Sequence, residues 1–231
     1  MSVEPMPATV RRGPKAWVVY LFLALAIGCL GAAFLIPLPK HTDRTQSSTE
    51  AAPDSFFDAP QFALMERNGG KVYTNDLVGK VWIASFVFTR CTMGCPQVTA
   101  TMQNLQKELN LAGSDDLRLV TFTVDPEADT LDKLKTYAEK FQAHETKWLF
   151  LTGEEKAVRP LLQKGFKITA MKKENPKPGD EFEHSTKIFV VDKLGRVQGT
   201  FDGMQGEHDT DGTHYASSLV RLKELVAELR K

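Results

Sequence analysis

The chain has no excess of either charge: 29 Lys and Arg balance 29 Asp and Glu, and no long basic block interrupts the mixture. Phosphate backbones are bound by concentrated cationic surface, so nucleic acid is not the expected partner. There is no internal repeat and no second independent hydrophobic core. A length of 231 residues therefore accommodates one substantial globular domain and a small accessory segment. Cysteine is scarce, with three residues at positions 29, 91 and 95, and the chain shows no four-ligand framework for zinc. The chemistry has to be sought locally.

What the sequence does contain, near its start, is an uncharged run. Residues 17–36, WVVYLFLALAIGCLGAAFLI, carry no charge and end before Pro37. As a helix, about 20 residues rising ~1.5 Å each span ~30 Å, the thickness of a bilayer hydrocarbon core. Trp17 and Tyr20 suit one interface. Arg11, Arg12 and Lys15 precede the run, and its far end lacks a small-x-small cleavage pattern. The expectation is a single-pass anchor with residues 1–16 as a short cytoplasmic tail and the larger C-terminal part on the opposite side. Residues 37–55 are rich in Ser, Thr, Pro and charge and read as a solvated linker, His41 included. Cys29 lies inside the proposed span and reads as a small apolar residue. Cys91 and Cys95 belong to the outer domain, residues 56–231, where a disulfide can persist.

Within that domain, hydrophobic periodicity alternates between strand and helix. FALMERNGGKVY suggests two short strands about a Gly-Gly turn, and Val81–Phe88 is a hydrophobic strand. Val98, Met102, Leu105 and Leu109 form a helical face, as do Leu131, Leu134, Ala138 and Phe141, and again Leu219, Leu222, Val226 and Leu229. LRLVTFTV, WLFL and TKIFVV are further strands. GEEKAVRPLLQKGF is a helix interrupted or begun again at Pro160, and the polar, Pro-rich KITAMKKENPKPGDEFEH is a hairpin with an extended connection. This order implies an α/β fold with a mixed central sheet covered by helices.

The two thiols stand between the Val81–Phe88 strand and the helix that follows it, in SFVFTRCTMGCP. Pro96 is accepted in a first helical turn but not in an interior one, which places Cys91 on the entering loop and Cys95 at the helix start. There the helix dipole favours thiolate over thiol. Such a pair can exchange electrons with another dithiol or bind copper(I) through polarizable sulfur; a structural disulfide is the plainer alternative. His184, in EHSTKIFVVD just before a core strand, is the histidine best placed by topology to complete a Cys2His set, against the alternative of an ordinary polar loop residue. His144, His208 and His214 read as solvated loop residues, and Met93 as loop packing or a partner contact rather than a thioether ligand.

Taken in order, SFVFTRCTMGCP, VTFTVDPEADT, LKTYAEKF and EHSTKIFVVD resemble the SCO/SenC family of membrane-anchored copper proteins over most of residues 56–231. The resemblance implies a thioredoxin-like fold of the peroxiredoxin-like subgroup. It implies that Cys91, Cys95 and His184 bind copper, as Cu(I), Cu(II) or both. It also implies service to cytochrome c oxidase assembly: delivery to the subunit holding the dinuclear copper centre, with periplasmic copper donors or thiol reductants as other partners. The site would lie in the bacterial periplasm, on a single-pass inner-membrane protein, or alternatively in the mitochondrial intermembrane space. The absence of an obvious transit segment favours the former. Asp125 falls in the matching VDP motif. Family members often place proline directly after the first cysteine, whereas this chain has Thr92. The competing account of the same residues is a membrane-anchored thiol–disulfide oxidoreductase in which Cys91 attacks and Cys95 resolves. A peroxidase ranks lower, because FTRC alone does not supply a positioned threonine and arginine.

Overall fold

Seven consecutive residues with buried side chains, Val81–Val87, form the strand around which the domain is built. The structure, a computed structural model, is described for residues 57–231. The expected tail, membrane span and linker lie outside the described residues, among which no helix is long and apolar enough to cross a membrane.

Ten strands are present in the described residues. In chain order they are β1 (Phe57–Asp58), β2 (Ala63–Glu66), β3 (Lys71–Tyr73), β4 (Val81–Val87), β5 (Leu117–Thr123), β6 (Trp148–Thr152), β7 (Ala170–Lys177), β8 (Asp180–His184), β9 (Lys187–Val191) and β10 (Arg196–Asp202). The α-helices are α1 (Gly94–Glu108), α2 (Leu131–Lys140), α3 (Glu155–Pro160) and α4 (Thr213–Leu229). Eight strands form one sheet in the order β1-β10-β9-β4-β5-β6-β2-β3, while β7 and β8 form a separate two-stranded sheet. The sheet is mixed: β4 and β6 both run parallel to β5, and β9 joins β4 antiparallel. Helix α1 packs on β4, α2 on β6 and α4 on β10.

Strand β4 reads VWIASFV without polar alternation because it is covered on both faces. Its one hydroxyl, Ser85, lies 2.8 Å from that of Thr121 on β5, so neither is left unsatisfied in the core. On one face Phe86 meets Phe122, Phe166 and Phe189 with ring centroids 5.0–5.8 Å apart. On the other, Val98, Met102 and Leu105 of α1 are fully or almost fully buried. Burying each side chain of this size contributes roughly 1.5–3 kcal/mol before the entropy of ordering is subtracted. The site-bearing loop thus springs from the most heavily packed strand of the fold.

The periodic segments become the elements expected of them, with two differences. The opening β1 is only two residues long and pairs with β10, too short for any alternating pattern to show. The helix at 155 ends at Pro160 and widens into a π-type turn, Leu161–Gly165, rather than restarting. The expected hairpin is the β7–β8 pair, turning at Gly179 with φ +82.

Candidate metal centre

Helix α1 starts within the sequence Met93-Gly94-Cys95-Pro96. Met93 has φ −111 and ψ −93, outside the helical region, and Gly94 is the first helical residue. Cys95 is therefore second and Pro96 third, in the turn where a missing N–H costs nothing. Cys91 lies on the loop that enters the helix, its N–H donating to the Phe88 carbonyl at 3.1 Å. Both cysteines are reduced and buried, Cys95 completely and Cys91 to 8 % exposure. The two thiols are hydrogen-bonded to each other.

Burial pushes the Cys95 thiol far up from its ordinary value, and the bond to Cys91 acts the same way; a backbone hydrogen bond at Phe88 opposes them without prevailing. This corrects the expectation of a thiolate favoured by the helix terminus: with Cys95 fully enclosed, dehydration of a negative sulfur outweighs the dipole. Cys95 is thus a dehydrated thiol, and a soft cation that binds it releases its proton.

The backbone around the thiols is held from two sides. Behind it, Thr89 donates from both its N–H and its hydroxyl to Asp129, with the hydroxyl contact at 2.6 Å. Thr123 adds a third donor to the same carboxylate at 2.5 Å. Asp129 is fully buried, and that burial raises its pKa in spite of these bonds. Next to it, Arg90 donates to Asp125 at 2.5 Å. Helix α1 is tied further into the core where the Thr99 hydroxyl donates to the Cys95 carbonyl at 2.8 Å and meets the Tyr137 hydroxyl at 2.7 Å.

In front, the β7–β8 hairpin and the strand after it close over the loop. His184 is placed by its backbone: it ends β8, paired with Ala170. Two residues later, Thr186 reaches the helix start. A methyl group on Gly94 would come within 3.4 Å of the Thr186 Cγ2 and 3.2 Å of the Met204 Sδ. Gly203 is equally constrained, because a Cβ there would stand 2.3 Å from the Thr186 carbonyl oxygen. The fold therefore joins Cys91 and Cys95 and brings the segment carrying His184 against the helix that holds them.

The other histidines among the described residues do not converge on this place. His144 accepts at Nδ1 from the N–H groups of Thr146 and Lys147, both at 3.3 Å, as a turn cap. His214 stands 3.6 Å from Asp202, and His208 is exposed. Met93 is 62 % exposed. Among the described residues no group of three or more His, Cys, Asp and Glu is arranged to hold a metal, so the described side chains supply the two sulfurs. Sequence reasoning did not single out Asp129 or Glu181. Asp129 had a visible signal, a second aspartate four residues after Asp125 in VDPEADT, whereas Glu181 had none.

A dithiol between the central strand of a mixed sheet and the N-terminus of the following helix defines a thioredoxin-like protein. The sequence model of the family described as SCO1/SenC matches residues 51–215. Over 150 residues, 64 % of this chain and 76 % of its relative, the sequence is 33 % identical to the SCO1 protein homolog of Bacillus subtilis (strain 168). The SCO1/SenC family lipoprotein from Bacillus anthracis str. Ames superposes with a TM-score of 0.61 at 29 % identity, covering 74 % of this chain and 95 % of that one. BsSco, described as a member of the Sco family of cytochrome c oxidase assembly proteins with a disulfide switch, gives 0.61 at 30 % identity, covering 76 % and 97 %. The copper-bound structure of Arabidopsis thaliana ScoI shares the fold, with a TM-score of 0.58 at 21 % identity over 73 % of this chain and 99 % of the other. The chain belongs to the SCO1/SenC family.

Proposed function

We propose that this protein is a copper metallochaperone that loads the dinuclear copper centre of cytochrome c oxidase during assembly. One observation carries the reading: two buried, mutually hydrogen-bonded thiols at a helix start, with the segment bearing His184 packed against the same helix. Two thiolates and one imidazole form a soft, low-coordinate donor set suited to Cu(I), and the imidazole also admits Cu(II). Cys91, Cys95 and His184 are assigned as the ligands. Family membership supports the cargo and the acceptor, since BsSco is named as an oxidase assembly protein and the Arabidopsis relative holds copper. The domain falls in the peroxiredoxin-like branch of the fold. Residues 17–36 anchor it in the bacterial inner membrane, with residues 1–16 cytoplasmic, 37–55 as tether and 56–231 in the periplasm.

Transfer proceeds by ligand exchange. An acceptor thiol or imidazole displaces one donor at a time, and burial favours return of the proton to Cys95 once its sulfur is vacated. The same dithiol can be oxidised to a disulfide, as the switch described for BsSco illustrates, so reduction of acceptor cysteines is the second reading. Peroxidase chemistry is not supported: Arg90, the cation next to Cys91, is engaged by Asp125 and Glu181.

Anaerobic titration of the reduced protein with Cu(I), read by X-ray absorption, tests the assignment. The expected result is one copper per chain with two sulfur donors and one nitrogen donor. Replacing either cysteine by alanine is expected to abolish specific binding, and His184→Ala to remove the nitrogen. Specific copper binding that survives Cys95→Ala, or rapid dithiol turnover indifferent to copper and to His184, overturns the reading.

A further inference from the structure

The β7–β8 hairpin has little to hold it in place by itself. It pairs with no strand of the main sheet, and an isolated two-stranded hairpin is marginal in water. Most of β7 is exposed, and the buried positions among those described are Ala170, Phe182 and Gly179 in the turn between them. Three contacts fasten its tip and β8 to the residues leading into the thiols. The Thr92 N–H donates to the Gly179 carbonyl at 3.0 Å. Arg90 donates to Glu181 at 3.1 Å while holding Asp125 with its other nitrogen. The Phe88 and Phe182 rings lie 5.4 Å apart.

Phe88, Arg90 and Thr92 are alternate residues, and they meet the hairpin in antiparallel order at Phe182, Glu181 and Gly179. The contact is close: a Cβ on Gly179 would stand 2.4 Å from the Thr92 hydroxyl. Glu181 depends on it, because its carboxylate is nearly buried and its second oxygen, Oε2, has no hydrogen-bond partner. Removing Arg90 would leave that carboxylate a buried charge without its cation, an arrangement relieved by moving β8 into water.

We propose that Arg90 and Thr92 are positioning residues that clasp the β7–β8 hairpin onto the thiol loop, so that the backbone of His184 is held in fixed relation to Cys91 and Cys95. This deepens the copper reading and rests on His184 being the third donor. The two points of the clasp work differently. Arg90 bridges hairpin and core through a carboxylate on each side. Thr92 acts mainly through its main-chain N–H, a donor that proline cannot supply, with its hydroxyl adding a longer bond of 3.4 Å to the same carbonyl.

The test uses the full chain with three substitutions, Arg90→Gln, Thr92→Pro and the conservative Arg90→Lys, beside His184→Ala. Hydrogen exchange of the metal-free proteins comes first. The amides of residues 179–184 are expected to exchange at least tenfold faster in Arg90→Gln and Thr92→Pro than in the parent, with β4 protection unchanged and Arg90→Lys intermediate. Cu(I) binding follows. The clasp variants are expected to keep both sulfur donors, to lose or weaken the nitrogen donor, and to bind about tenfold or more weakly, the usual effect of removing a partner that orients a ligand. Combining Arg90→Gln with His184→Ala is expected to cost no more than His184→Ala alone. Unchanged hairpin exchange in both variants overturns the clasp whatever copper does. Faster exchange with parental nitrogen coordination and affinity overturns the positioning role. If His184→Ala itself binds like the parent, the ligand assignment has failed instead, and the exchange data still decide whether the clasp exists.

Discussion

Strand β4 and the β7–β8 hairpin flank the same two sulfurs and are built on opposite principles. All seven residues of β4 are buried, and its neighbours on both sides are strands of the main sheet. The hairpin is mostly exposed and held by a few contacts: at its tip, along β8, and at the start of β7, where the Ala170 carbonyl accepts from Arg159 and Gln163. One half of the site is therefore fixed by packing, the other by a small number of polar contacts. Under the proposed assignment of His184 as third donor, this division suits a cargo protein: the thiols stay preorganised while the third donor is given up to an acceptor at modest cost.

The comparison predicts very different sensitivities. Phe86→Ala removes a fully buried ring that packs against three others. The expected loss is about 3–5 kcal/mol of folding stability, measured by denaturant unfolding with the buried Trp82 and Trp148 as fluorescent reporters. Because α1 packs on β4, copper binding should fail together with folding. A loss below about 1 kcal/mol would show that the centre of the sheet is less rigid than its burial indicates.

The same contrast explains what was legible in the sequence. VWIASFV and LRLVTFT announce buried strands because every position answers to one environment, and Val98, Met102 and Leu105 repeat with the helix because one face meets β4. Pro96 located Cys95 correctly, since first-turn tolerance for proline is a local rule. The raised pKa of Cys95 was not legible: the helix terminus is visible in sequence, but the complete burial of Cys95 is a product of tertiary packing. The clasp was hidden for the same reason. Arg90 and Glu181 are separated by 91 positions, and nothing in either neighbourhood marks the other. The length and polarity of residues 170–184 suggested a hairpin without revealing where it docks.

Between these extremes stands the β9–β10 turn, which is polar yet rigid. Asp192 is nearly buried and accepts from the N–H groups of Leu194 and Arg196, both at 2.9 Å, and from the side chains of Arg196 and Gln198. Burial alone would raise its pKa, but these bonds prevail and hold it below the ordinary carboxylate range. The folded carboxylate thus resists protonation more than the unfolded one, whose pKa is about 3.9. Its stabilisation is present in full above that value and lost as the pH falls through the lower folded one. Asp192→Ala is expected to cost about 1.5–3 kcal/mol at pH 7, with the gap to the parent narrowing as unfolding is measured at progressively lower pH below about 4. A gap constant across that range would mean that the turn is held by its backbone alone.

The smallest effect belongs to the hairpin itself. Met171 is the β7 residue opposite Glu183 and is 57 % exposed, although it is among the larger apolar side chains of the domain. If the hairpin is fixed by Thr92, Arg90 and Phe88 rather than by its own side chains, Met171→Ala removes almost no buried surface and should change stability by no more than about 0.5 kcal/mol. Hydrogen exchange at residues 179–184 should also match the parent, in contrast to Arg90→Gln. A larger loss in the isolated protein would place Met171 in a contact that supports the hairpin and would weaken the division between a packed half and a clasped half. A neutral result, set beside the several kcal/mol expected at Phe86, would show that side-chain size contributes to this fold only where the sheet and helices enclose it.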